Sequence, residues 1–580
     1  MPGGSLRAFL PNATAMYSLR FSPRESARNS SLRVLLVSGL LASLAPAQSA
    51  STYFQPQGPE FLITTATSYN QYWARVAIAD DASVVAFSYN SGQDPFARQT
   101  TLAGVGLTGT LVCDPTLNIY TQDEAETALS SNGNQLVAWS ERHGYDGEQM
   151  GIFARVFAPG GSPLGTEHAI NQIWAASQWR PLMATRPAGG FVVAWSGDWD
   201  GNAYFRVLDA NGGFLSNDVR VNTFANGGQT DTALAIAPTD GEMLMIFVDY
   251  SNWNAPGTGT NLWARLYDAS GVALQTGEWL ATTAAFLPGD QREPRAAADG
   301  LGRFIVVWED PLADGSSWGI VGRRFDHSGT PLGGEFIVNA TTAGSQRAPR
   351  VTADSVGNFV VTWEDWSSGD ADIRAQRYDA AGQRAGAEVV VNQSLAGDQK
   401  LPSVAMTPAT GDVVFSYHSP DQNNSSWTDV YARAFSIYQP PTVYCTAKTN
   451  SLGCTPQIGW SGTPTLSGAD DFVVSASQVI SNKSGIVFYG FARAAAAFYG
   501  GTMCVYPPIL RTALQASGGT ASPDDCSGTY GFYFSHAYLA AHGLTPGTTM
   551  RTQCWSRDPG FPSPQQNIGL TDALEFDLRP

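Results

Sequence analysis

Apolar residues in this chain come in short runs that repeat themselves. Gly-Gly-Phe-Val-Val-Ala-Trp at 189–195 returns as Gly-Arg-Phe-Ile-Val-Val-Trp at 302–308 and as Gly-Asn-Phe-Val-Val-Thr-Trp at 357–363. Looser copies end at Phe87, Trp139, Phe247 and Tyr417. The aromatic ends recur roughly every 54 residues, and self-similarity at such a period is the mark of a repeat architecture. Around each end lie β-branched and aromatic residues bounded by Gly, Asn and Asp, which reads as strand and turn. The unit ending near residue 392 shows the pattern clearly. Its strands are predicted at 349–354, 359–363, 373–378 and 388–392, here named a to d.

Three further signals recur. A Gln precedes strand a in every unit: Gln71, Gln122, Gln178, Gln229, Gln291, Gln346 and Gln399. Strand c often ends in Arg-x-aromatic, as at Arg155–Phe157, Arg265–Tyr267, Arg323–Phe325 and Arg433–Phe435. An Asp-x-x-Gly turn follows at 209–212, 268–271, 326–329 and 379–382. Four short strands per unit predict an all-β fold, a seven-bladed β-propeller with four-stranded blades. The strand-like run 60–65 precedes the first strand a, and the last unit stops after strand c. The N-terminal strand is therefore expected to complete the last blade and close the ring, which removes exposed edges. The buried aromatics and the leading Gln are read as packing and loop-fixing residues rather than as ligand contacts.

The ends of the chain have another character. Arg20, Arg24, Arg28 and Arg33 precede an apolar run at 34–44 and then Ala45-Pro46-Ala47. That is a secretory signal over 1–47, cleaved near Ala47. The apolar run is too short to span a membrane. The propeller is placed at 48–438 and a linker at 439–443. Residues 444–580 hold five of the six Cys, which in a secreted chain is a disulfide framework. Pairs Cys445–Cys454 and Cys504–Cys526 are expected from proximity in sequence. Short alternating runs there predict a small β-sandwich.

The repeats over 60–435 resemble those of large secreted bacterial proteins with a Gly-Phe-Val-Val-x-Trp … Arg-Phe-Asp-x-x-Gly pattern. In the C-terminal region, Tyr444-Cys-x8-Cys454, Phe488-Tyr-Gly490, Gly500-Gly-x-x-Cys504, Asp525-Cys-Ser-Gly528 and Trp555-x-Arg-Asp-Pro559 together resemble a domain shared by many secreted planctomycete proteins. The first resemblance implies a propeller in an extracellular or surface setting. The second implies attachment or sorting. Neither implies an activity.

Charge narrows the functional classes. The net charge is −17, with 50 Asp and Glu against 33 Lys and Arg, which excludes a nucleic-acid surface. Much of the acid falls between strands b and c: Asp94, Glu141, Asp146, Glu148, Asp198, Asp200, Asp249, Glu309, Asp310, Asp314, Glu364, Asp365, Asp370, Asp372, Asp421 and Asp429. Arg142 is the lone base there. These acids read first as solvated turn residues. Asp198 with Asp200, and Asp365 with Asp370 and Asp372, are also candidate calcium ligands, since carboxylates on loops suit a hard cation. Four residues past each Gln lie Arg75, Glu126, Leu182, Ala233, Arg295, Arg350 and Ser403. Arg75, Arg295 and Arg350 with Glu126 form a candidate site for an anionic sugar at the channel, because guanidinium grips carboxylate bidentately. Sialidase-like enzymes use such a cluster, but no sialidase Asp-box is present. A P-loop and His-x-x-x-His are also missing from the sequence. The expectation is a secreted or surface-attached, non-catalytic protein that binds or adheres through a propeller face, with an extracellular glycan or protein as partner. A carbohydrate-active enzyme with its site at the channel is the alternative.

Overall fold

The structure, a computed structural model, describes residues 54–64, 70–91, 94–115, 122–142, 150–173, 177–197, 201–224, 228–250, 259–283, 289–408, 410–420, 428–437, 441–466 and 469–579. The expected signal segment lies outside these residues, as do Asp146, Glu148, Asp198, Asp200 and Asp421.

The repeat folds as predicted into antiparallel sheets, six of them four-stranded. In the sixth blade the strands are Gln346–Ala353, Phe359–Asp365, Asp372–Tyr378 and Val389–Val390. The a strands pack side by side from blade 1 to blade 7, and the last packs on the first. The propeller is therefore a closed ring of seven blades around a channel lined by strands a.

Closure is made by the N-terminal segment. Phe61–Leu62 pairs antiparallel with Tyr431 and Ala432 of the last blade's Thr428–Ser436 strand, and Gln55–Pro56 pairs further along it. Glu60 shows that this is a true strand d. In other blades an acid beside strand d accepts backbone N–H groups from the preceding blade: Asp218 from Gln172 and Ile173, Glu278 from Thr223, Glu335 from Thr283 and Glu388 from Thr341. Glu60 does the same for Gln393 at 2.9 Å and accepts the Tyr417 hydroxyl at 2.5 Å.

The repeated motifs are the joints of the ring. Trp139, Trp195, Trp308, Trp363, Phe87, Phe247 and Tyr417 are fully buried. Each packs with residues of a neighbouring blade, as Trp308 does with Leu244 and Ile246. Truncating one such Trp to Ala costs about 3–5 kcal/mol. The strand-c arginines donate across the seam to carbonyls ending strand d of the preceding blade: Arg206 to Ile170, Arg265 to Val221, Arg323 to Ala281 and Arg433 to Val391. The leading glutamines are buried and wire strand a to strand b. Gln346 donates to Asp365 at 3.0 Å and accepts from Asn339 at 3.0 Å, and Gln291 donates to Asp310 at 3.2 Å.

Beyond the propeller, Thr442–Tyr444 pairs with Ala573–Glu575. Thr442 and Val443, expected in the linker, thus begin a sheet. It continues through Ile568–Asp577, Thr549–Arg557 and Ser484–Gly490. A second sheet joins Gln457–Ser461, Val473–Val479 and Gly528–Tyr533. Residues of both sheets, Ile458, Val474, Val487 and Phe576 among them, share one core.

The four expected disulfide cysteines are bonded, but the partners are exchanged. Cys445 bonds Cys504 and Cys454 bonds Cys526, with Cα–Cα distances of 6.2 and 6.4 Å. Proximity in sequence misleads here because the intervening turn sends Cys445 and Cys454 to different places. Cys445 follows the edge strand, where the Tyr444 hydroxyl reaches the Cys504 carbonyl. Cys454 ends the Asn450 turn, which lies against Cys526. Cys113 and Cys554 are free and buried. Two disulfides point to an oxidising environment. No helix among the described residues is long and apolar enough to cross a membrane.

Candidate functional site

Each strand a contains a bulge two residues past its Gln. Trp73, Glu124, Arg180, Asp231, Glu293, Ala348 and Leu401 all have φ near +50° to +60°, left-handed for residues that carry a Cβ. The ladder shifts register at the same place in every blade, for example between Arg347 and Arg350. The bulge turns both the second and the fourth residue past Gln toward the axis.

The result is a cavity of about 550 Å³ at the channel. The expected residues Arg75, Glu126, Arg295 and Arg350 all line it. With them are Trp73, Glu124, Arg180, Asp231, Glu293, Arg347, Glu309, Glu364 and Trp366, which the count of four past Gln did not reach. Period-two alternation, stepped back once from the counted positions, would have found Glu124, Arg180, Asp231 and Glu293.

The charges interlock around the ring. Arg75 reaches Glu126 of the next blade at 2.5 Å. Arg180 bridges Glu293 at 2.9 Å, Glu124 at 3.7 Å and also Asp231. Arg295 meets Glu293 at 3.1 Å, and Arg347 meets Glu309 at 2.9 Å. The remaining acceptors are in use too. Glu124 takes the backbone N–H of Arg180, Glu309 that of Ala348 and Glu364 that of Leu401. Asp231 accepts from the Tyr250 hydroxyl at 2.5 Å. Every carboxylate of the cavity is therefore engaged.

Arg350 is the exception among the cations. Its one ion pair among the described residues is to Glu126, at 3.6 Å, and Glu126 is shared with Arg75. Its side chain is only 14% exposed. Burial and the facing Arg295 and Arg75 push its pKa well below the arginine range. Two acids of the cavity are set apart. Burial holds the Glu309 carboxyl up at about 7 despite Arg347. For Glu293, burial is overcome by Arg295, Arg180 and Arg350, which hold it near 2.

No family model matches the chain, and no curated protein matches it in sequence. Among solved structures it is similar to a protein of unknown function from Dyadobacter fermentans, with TM-score 0.40 and 10% identity over 66% of this chain and 99% of that one. It is also similar to an alpha-L-arabinanase from Penicillium chrysogenum complexed with arabinobiose, with TM-score 0.38 and 12% identity over 54% and 92% of the two chains. The phage phi92 endosialidase aligns with TM-score 0.38 and 9% identity over 69% and 73%.

The expected cluster of Asp365, Asp370 and Asp372 is not assembled. Asp365 is buried and committed, accepting from Gln346, from Ser367 at 2.6 Å and from Arg374 at 2.6 Å. Asp372 accepts from Asn392 at 2.8 Å, and Asp370 is exposed. These three do not converge on a common point. Asp198 and Asp200 lie outside the described residues. The acidic loops are also less of a solvated face than their sequence suggests. Glu141, Asp249, Glu309, Asp310, Glu364 and Asp365 close strand b and are buried. Several of them receive the Gln amides and the N–H groups of the left-handed residues.

Proposed function

We propose that the protein is a secreted, non-catalytic binding protein whose propeller channel takes an anionic, hydroxyl-rich ligand, an acidic saccharide. The observation that carries this is the imbalance at Arg350. The cavity's carboxylates are matched, whereas this guanidinium has a single ion pair, 3.6 Å from a carboxylate it shares with Arg75. A ligand carboxylate would fill that gap with charge-assisted hydrogen bonds. Trp73 and Trp366 on the wall supply apolar faces for sugar rings. The signal-like segment, the disulfides and the C-terminal resemblance favour an extracellular setting with attachment through residues 444–580. The test is calorimetric titration of the whole chain with uronic-acid and sialic-acid oligosaccharides against their neutral counterparts. Binding of the acidic set alone, lost in Arg350→Met, is expected; equal affinity for neutral sugars would reject the proposal.

One observation favours the alternative, a glycosidase at the same cavity. Glu309 titrates near neutrality while Glu293 stays ionised, a division of labour that suits an acid and a base. Both already have protein partners, so binding remains the better supported reading. Release of reducing ends from the bound saccharide, abolished in Glu309→Gln, would decide for the enzyme.

A further inference from the structure

On the face made by the a–b and c–d turns, one blade seam is built differently from its neighbours. At three seams a side chain near the a–b turn donates to the backbone carbonyl of the next blade's Asp-x-x-Gly turn: Asn134 to Ala210, Arg186 to Ala269 and Arg303 to Ala380. Between blades 4 and 5 the donor is replaced by two acids, Asp240 and Glu242. The turn residue facing them is His327 where the other turns have Ala.

The imidazole is oriented. His327 Nδ1 lies 3.2 Å from the Gly302 carbonyl oxygen, which can only accept, so Nδ1 carries the ring proton. Nε2 then faces Asp240 Oδ2 at 3.0 Å and Glu242 Oε2 at 2.9 Å. A neutral ring would set its lone pair against two anionic oxygens. Either a second ring proton shared with the carboxylates or a metal ion at that point reconciles the three groups. We propose that Asp240, Glu242 and His327 hold a divalent transition-metal ion of the zinc class across the seam of blades 4 and 5.

The geometry suits such an ion. Metal–ligand bonds of about 2.0–2.2 Å at the tetrahedral angle place ligand atoms about 3.3–3.6 Å apart, so the 3.0 and 2.9 Å contacts open by a few tenths of an ångström to take an ion. The N–H to carbonyl bond behind a ligating nitrogen is the usual support for a metal-bound imidazole. One nitrogen and two oxygens suit zinc and its neighbours. Calcium would need six to eight oxygens. The side chains are 38%, 46% and 24% exposed for His327, Asp240 and Glu242, so an ion can enter and water can complete its shell. Among the described residues this is the one cluster of His, Cys, Asp or Glu ligands that converges so closely. The free cysteines are buried and do not compete.

The test is zinc titration of the chelator-treated, untagged full chain, with cobalt as a spectroscopic stand-in. One equivalent of zinc is expected to bind, with a visible cobalt band and a rise in melting temperature. His327→Gln and Asp240→Asn should each weaken binding more than about tenfold. Without metal they should melt like the parent, because such surface changes are within about 0.5 kcal/mol. A bridge held only by a proton would show no response to zinc, and that result overturns the proposal. Zinc bound equally by the parent and both variants would place the ion elsewhere and also overturn it.

Discussion

Arg350 is held in the channel against electrostatics. Burial and the two facing arginines oppose its charge, while Glu126 is a distant and shared partner. Arg350→Met should therefore leave stability unchanged or raise it by up to about 1 kcal/mol, since apolar replacement of a poorly paired buried ion is often neutral or favourable. Removing its partner is different. Glu126→Ala leaves Arg75 buried without its close partner and should cost about 3–5 kcal/mol. Urea denaturation compares the two. Glu309 gives a prediction in pH. Its folded pKa near 7 lies above the ordinary 4.5, so between those values the folded chain keeps a proton the unfolded chain has lost. The stabilisation is full below pH 4.5 and is lost as pH rises through 7. Glu309→Gln should be more stable than the parent at pH 8, by on the order of 2 kcal/mol, with the advantage vanishing near pH 4.5. His418, held near 4 by burial first and then by Lys400 and Arg75, slopes the opposite way, but equally in both chains. Ala348 adopts φ 51°; Ala348→Gly should gain about 0.5–1 kcal/mol.

At the scale of the element, the segment through Phe61 and Leu62 is short but closes the ring. Ile63 beside it is fully buried among Val85, Val414 and Val430 of two blades. Ile63→Ala should cost about 2–5 kcal/mol, seen as a lower melting temperature of the propeller. Blades, the strand order within them and this closure were legible because each rests on a local signal repeated seven times, whereas strand a starts at Gln346 rather than at 349. The Arg-x-aromatic and leading Gln motifs were visible as repeats, and the structure supplies their partners across the seams. The cysteine pairing was not legible, because it depends on which sheet each strand joins. The second channel position in each blade was missed for a simpler reason, since only one residue per unit was counted.

For the molecule as a whole, the two disulfides belong to the C-terminal unit and close segments of 59 and 72 residues. Reduction should cost that unit about 2–5 kcal/mol. The propeller has only the buried free Cys113, so its transition should not move. Calorimetry with and without reductant is expected to show one shifted transition and one fixed. The charge of −17 also changes meaning at this scale. Many of the acids counted as loop carboxylates are internal acceptors that organise the channel, and composition cannot distinguish these from solvated ones.

None of the seven left-handed residues is Gly or Asn, although those would relieve the backbone there. The scaffold that imposes the bulge resides in the Gln, in the strand-b acids and in the seam contacts. The bulged residue itself is free to vary, and across the ring it is Trp, Glu, Arg, Asp, Glu, Ala and Leu. Each blade thus behaves like a socket of constant shape with an interchangeable insert. A lineage, or a designer, could rewrite the lining of the channel one insert at a time, without touching the parts that close the ring.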